Sequence, residues 1–216
     1  MPPKVAQAVA VTLLGGATAL TLAALAFVIV FVLGRGLPVL RLEFLLAAPR
    51  EMGRAGGIFP TLVGSLVLPL AALLLALPAG VGTAIYLTEY TRPSRATRAI
   101  RFGTDCLAGI PSILFGLFGF IFFVVRLRLG WSILSGALTL AIMVLPTIIR
   151  TSEEAIRAVP ASFREVSYSL GATRWETVWK VVLPNALPGI VTGIMLSVGR
   201  CVGETAAVIF TAGASL

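Results

Sequence analysis

Five long apolar runs, joined by short connections that hold most of the charge, leave this sequence few folds to choose from. They cover about 5–33, 58–87, 107–125, 131–149 and 185–210. An α-helix rises 1.5 Å per residue, so about 20 apolar residues cross the ~30 Å hydrocarbon layer of a bilayer. Inside that layer each segment must satisfy its own backbone N–H and C=O groups, and runs that stay apolar without alternation do so as helices. Composition agrees: 58% of residues are hydrophobic and 12% charged, with a mean hydropathy of +1.01. The chain is therefore predicted to be an all-α, polytopic integral membrane protein, with one membrane domain over 1–216. Its first run, Val5 to Leu33, holds no charge and exceeds the ~7–15 apolar residues of a signal-peptide core, which marks a retained span. The second, Ile58 to Leu87, is expected to kink at Pro69 and Pro78.

The net charge is +8, yet the cations sit in the connections and form no basic surface interleaved with aromatics. Membrane lipid, and no nucleic acid, is the expected surrounding. There is no His, and Cys106 and Cys201 show no ligand or C-x-x-C spacing, so neither a metal site nor a disulfide framework is expected. On alternate sides of the runs, Lys4, the arginines from Arg92 to Arg101, and Arg150, Arg157, Arg164, Arg174 and Lys180 oppose Arg35, Arg41, Arg50, Arg54, Arg126 and Arg128. The richer set marks the cytoplasmic side. The N terminus and the connection 150–184 are then inside.

That connection is the polar centre of the chain. A hydroxyl followed three residues later by Glu, the reciprocal helix-start pattern, occurs as Thr151 with Glu154, Ser162 with Glu165 and Thr173 with Glu176. Three short helices are predicted, with Gly171 as a left-handed stop and Pro160 and Pro184 at the other boundaries. On the last, Trp175, Val178, Trp179 and Val182 make an apolar stripe at helical spacing. It covers either the chain's own core or a partner.

Arg200 and Glu204 are the only charges between Pro184 and the C terminus. Arg200 lies about 22 Å along a helix counted from Asn185, inside a ~30 Å layer where a central charge costs on the order of 2.5–3.5 kcal/mol. Spaced i, i+4, the two charges share a helix face and can neutralise each other. Either they form an internal ion pair that fixes register, or Arg200 offers positive potential to a passing anion.

Two stretches resemble a known family. Glu165-Val166-Ser167, then Gly171, then Val181 and Leu183-Pro184 resemble the cytoplasmic loop signature of ABC importer permeases, with Val and Ser in place of two alanines and Val181 in place of Ile. Gly199-Arg200-Cys201-Val202-Gly203-Glu204-Thr205-Ala206, with Phe210-Thr211-Ala212-Gly213, resembles the phosphate ABC importer permeases of PstA and PstC type. Gly56-Gly57-Ile58, the block from Gly80 to Tyr90 and Gly109-Ile110-Pro111-Ser112 extend the likeness, and the Ile85 to Tyr90 block is closer to PstA. The resemblance implies a helical bundle of the type I ABC importer permease kind, in a bacterial cytoplasmic membrane. It implies that Glu165, Gly171, Ala172, Trp175, Leu183 and Pro184 serve a coupling helix docked on an ATPase, and that Arg200, Glu204 and Thr205 line a phosphate route. The implied partners are a second permease subunit of PstC type, two ATPase subunits of PstB type and an extracytoplasmic phosphate-binding protein of PstS type. ATP and Mg are expected on the ATPase and no cofactor on this chain, which has no GxxxxGK[ST] loop. The family has six spans where five are visible here, so a C-terminal sixth is expected to be missing, from either a fragment or a truncated product. A permease for another oxyanion or an amino acid, or a phosphate-sensing subunit that does not transport, are the alternatives. An intramembrane hydrolase is disfavoured, because Ser197 has no base near it in a chain without His.

Overall fold

The computed structural model describes residues 3–51, 55–92 and 94–213. Among these residues four helices are long and apolar enough to cross a membrane, and one sharply bent pair makes a fifth candidate. The chain divides into two compact units, residues 1–60 and 61–215.

The first unit contains α1 (Pro3–Gly36), a helix of 34 residues whose described side chains are all exposed. Apolar all round, it presents a surface for lipid or for another membrane helix. A 3₁₀ turn at Leu37–Val39, the short helix α2 (Leu42–Leu46) and an antiparallel hairpin of β1 (Pro49–Arg50) with β2 (Ala55–Gly56) follow. Arg54 of the expected outer connection lies outside the described residues.

The second unit is organised about α6 (Ile133–Ala158), the most deeply covered helix. Its Leu140, Met143, Val144 and Ile148 are fully buried. They meet Leu68, Ala72, Leu73 and Ala76 of α3 (Phe59–Ile85) and Phe115 of α5 (Ser112–Gly119). On another flank lies α9 (Leu183–Val202), which approaches so closely at Gly189 and Gly193 that a Cβ there would strike Ala155 and Thr151. Lipid tails are as apolar as these side chains, so such contact draws on tight packing rather than on exclusion of water.

Several boundaries differ from those expected. α6 runs unbroken through Thr151, so the fourth span and the first short helix are one element. Nothing there stops a helix, and the Thr151 hydroxyl donates back to the Thr147 carbonyl at 2.9 Å rather than capping a start. Ser162 does not cap either: α7 (Ala161–Ser169) begins at Pro160, whose fixed φ sets the first turn. The run 107–125 is not one helix. α4 (Arg95–Ala108), capped by Ser94 and Thr97, turns by 99° into α5, which continues in π-helical form to Arg126. Pro111 forces the bend, since the residue before proline avoids helical geometry.

The fifth span begins and ends earlier than 185–210. α8 (Arg174–Thr177), a π-turn at Val178–Val182 and α9 form one helix, Arg174–Val202. Pro184 therefore ends nothing. The wider bonding of the π-turn accommodates its missing N–H, and the Asn185 side chain donates to the Val181 carbonyl at 2.6 Å. The helix breaks at Gly203 and resumes as α10 (Ala206–Thr211), which packs on α5 and α6.

The π-helical turn Tyr86–Tyr90 that extends α3, the end of α6 and the body of α4 share one end of this unit, as the ion pairs Arg101 to Glu153 and Arg164 to Glu89 record. At the other end α6 starts beside the close of α10, where the Trp131 indole donates to the Phe210 carbonyl at 3.2 Å.

Candidate functional site

Two regions hold the residues singled out by the sequence. The first is the elbow between α6 and α9. α7 ends in a Schellman turn: Gly171 has φ +82°, its N–H donates to the Tyr168 carbonyl at 2.9 Å and the Ala172 N–H to the Ser167 carbonyl at 3.2 Å. Thr173 then starts α8 with a complete capping box, accepting from the Glu176 N–H at 3.3 Å while Glu176 accepts from the Thr173 N–H at 3.0 Å. The Ser167 and Thr177 hydroxyls, 2.9 Å apart and buried, pin the two short helices together.

Arg164 fastens this elbow to the bundle. Its guanidinium donates to Glu89 at 2.6 Å, to the Val159 carbonyl at 2.8 Å and to the Ile156 carbonyl at 3.0 Å. It thus closes the end of α6 and holds the π-helical turn Tyr86–Tyr90 that extends α3, in one contact set. With the Glu89 side chain only 7% exposed, removing one partner strands a buried charge, a loss of about 3–5 kcal/mol. Sequence reading missed this pair because its members are 75 residues apart and carry no local signal.

Facing outward, the elbow leaves Phe163, Val166, Leu170, Trp175 and Trp179 exposed. The expected four-residue stripe divides: Val178 and Val182 are fully buried, while the two tryptophan rings lie against each other, 5.4 Å between centroids, on the open side. Glu165, Gly171 and Pro184 are exposed as well, and Ala172 and Leu183 half-buried. Apolar side chains exposed together on a polar elbow mark a surface for a protein or for the membrane face.

The second region is the break between α9 and α10. Glu204 accepts from the Ala207 N–H at 3.1 Å and so caps α10. Thr205 is exposed. Arg200 and Glu204, expected to be able to pair across one turn, form no ion pair among the described residues. The reason is local: the helix stops at Gly203, and Glu204 turns into the next element. Arg200 instead donates to the Thr147 hydroxyl at 3.4 Å, a long contact. Thr147 is a neighbour that sequence reading did not find. It lies about 21 Å from the start of α6 and within one turn of the exposed Arg150, so Arg200 meets α6 toward the elbow end of its apolar run.

Gly199, next to Arg200, faces open space. Gly189 and Gly193 serve packing, while a Cβ at Gly203 would meet the Gly199 carbonyl at 3.4 Å.

The description "Binding-protein-dependent transport system inner membrane component" matches residues 76–216. The probable ABC transporter permease YqgI of Bacillus subtilis is 35% identical over 213 residues, 99% of this chain and 72% of that one. The phosphate transport permease PstA 1 of Mycobacterium tuberculosis is 38% identical over 161 residues, 74% of this chain and 53% of its own. PstA of Pasteurella multocida is 34% identical over 190 residues, 87% and 67%. The chain thus spans about half the length of the mycobacterial protein. Among solved structures, a chain of the methionine ABC transporter MetNI in an inward-facing conformation aligns with a TM-score of 0.57 at 26% identity over 70% of each chain. With its helical membrane bundle, its outward-facing elbow and a match across two-thirds of its length, the chain belongs to the family of binding-protein-dependent transport system inner membrane components.

Proposed function

We propose that the chain is the membrane-spanning subunit of an ATP-driven importer of inorganic phosphate. The observation that carries this reading is Arg200, a cation within an apolar helix run whose neighbour is a hydroxyl and not a carboxylate. A charge so placed is expensive unless something compensates it, and a passing oxyanion does so. The planar guanidinium matches the oxygens of phosphate. Relatives named as phosphate permeases support the same solute. The MetNI likeness supports the bundle and leaves the solute to side chains such as Arg200.

Glu204 and Thr205 then border the route by shaping the break beside Arg200, and Glu204 acts through the cap of α10. The elbow docks on an ATP-hydrolysing partner, with Glu165, Gly171, Ala172, Trp175, Leu183 and Pro184 at or beneath the contact. It lies on the cytoplasmic side, as its arginines favour, which puts the N terminus inside too. A second permease subunit of PstC type faces this one, two ATPases of PstB type sit below and a phosphate-binding protein of PstS type delivers from outside. Closure of the ATPases moves the elbow, α6 and α9 tilt with it, and the route past Arg200 changes its open side. Only contacts that differ between the two nucleotide states shift that equilibrium.

Labelled phosphate uptake by cells carrying Arg200→Gln tests the reading. Uptake is expected to fall by at least about tenfold, or about 1.4 kcal/mol, at an unchanged amount of protein in the membrane. Unchanged uptake removes Arg200 from the route. Phosphate-responsive expression, measured alongside, separates transport from sensing.

A further inference from the structure

A second concentration of positive charge lies at the elbow end of the bundle, far along the chain from Arg200. A hollow there is lined by Arg92, Arg101 and Arg157 with Thr88, Thr91 and Thr97, whose hydroxyls donate to backbone carbonyls, so the arginines are its donors. One carboxylate stands against these cations: Glu153 bridges Arg101, at 2.8 Å, and Arg157. Arg92 makes no ion pair among the described residues. Three guanidiniums facing one carboxylate leave a surplus of two positive charges. Of the neighbouring acids, Glu89 pairs with Arg164, and Asp105 and Glu154 both face Arg150.

Two further observations point to a missing acceptor. The Nε of Arg101 is buried and has no hydrogen-bond partner, although a buried guanidinium N–H left unbonded is costly. Its Nη2 is already held by Glu153 at 2.8 Å, so Nε is the donor left over. The hollow also borders the first turn of α4, through Thr97, which is buried. The partial positive charge of a helix start adds to that of the arginines.

We propose that this hollow binds a phosphoryl anion, held by Arg92, Arg101 and Arg157. Its chemistry fits two sources, inorganic phosphate at this end of the bundle or the phosphodiester headgroup of an anionic lipid. Either one supplies oxygens that accept from several guanidinium forks at once. The site is separate from Arg200 and does not depend on the transport reading.

Site-resolved modification by phenylglyoxal, an arginine reagent, tests it on the full chain in phosphatidylcholine vesicles. Inorganic phosphate is added in one arm, and phosphatidylglycerol replaces a fifth of the lipid in the other. Arg95 and Arg98, exposed on α4 outside the hollow, are internal controls. A ligand at ten times its Kd leaves about a tenth of the sites open, so modification of Arg92 and Arg157 is expected to fall about tenfold while the controls stay reactive. Protection by phosphate assigns the solute, and protection by phosphatidylglycerol alone assigns the lipid. Equal reactivity of all four arginines in both arms overturns the site. Repeating the experiment with Arg200→Gln keeps the outcome distinct from that of the transport proposal: protection must persist in this variant.

Discussion

Arg164 and Glu89 stand 75 residues apart and form a tight, largely buried pair. Arg200 and Glu204, one helical turn apart in sequence, form none. The difference shows what holds an ion pair together in a helical membrane protein. Arg164 is enclosed on three sides, by the carbonyls that end α6 and by the carboxylate of the π-helical turn that extends α3, so its charge is consumed in holding the elbow. Arg200 lies where its helix stops, and the glutamate that could have neutralised it has become the cap of another helix. One cation is locked and the other is left available.

The comparison breaks most readily at Arg164. Arg164→Ala should destabilise the protein by about 3–5 kcal/mol, as expected when one member of a buried pair is removed. Thermal unfolding in detergent would register this as a large drop, and Arg164→Met with Glu89→Leu should recover much of it. A single variant that melts like the parent would end the view of this pair as a lock. Arg200→Gln should do the reverse: phosphate uptake falls by up to about 100-fold, matching a charged hydrogen bond of about 1.5–3 kcal/mol, with the melting temperature unchanged. If it melts early, Arg200 belongs with Arg164 as a structural residue.

Smaller effects sharpen the contrast. Gly171→Ala forces a side chain into the left-handed region at the elbow, at about 1–2 kcal/mol, and limited proteolysis should find the α7 to α8 turn more open. Gly171→Pro, whose ring cannot adopt φ +82°, should insert in the membrane yet fail to couple ATP hydrolysis to uptake. Glu204→Ala should loosen the start of α10 by about 1 kcal/mol, seen as faster hydrogen exchange at Ala207. Glu204→Gln keeps an oxygen to accept from that N–H and should exchange like the parent. Faster exchange in the Gln variant would mean that the charge, and not the cap, matters at this position.

What the chain disclosed in advance was what depends on neighbours in sequence. The apolar runs marked where long helices lie, while Gly171 marked the left-handed stop and Thr173 with Glu176 the start of α8, each settled within one turn of backbone. The same signature misled at Thr151 and Ser162. A hydroxyl in the middle of a helix bonds backward as readily as it caps, and Pro160 had already fixed the start of α7. Pro184 misled in the other direction, because a π-turn lets a helix pass through proline. Arg200 was legible as a charge in an apolar run, but its neighbour Thr147 and the diversion of Glu204 depend on how α6, α9 and α10 meet. No spacing rule reaches that far.

The uninterrupted helix from Arg174 to Val202 has a mechanical consequence. Arg200 stands roughly 39 Å along it from Arg174, beyond the π-turn, Pro184 and Pro188, the points at which such a helix bends. A swing of about 10° at the foot would sweep that side chain sideways by at most roughly 7 Å, by the same 1.5 Å rise per residue, and bending at those points takes up part of it. How much of a rotation below arrives at the cation is therefore set by the stiffness of those few residues.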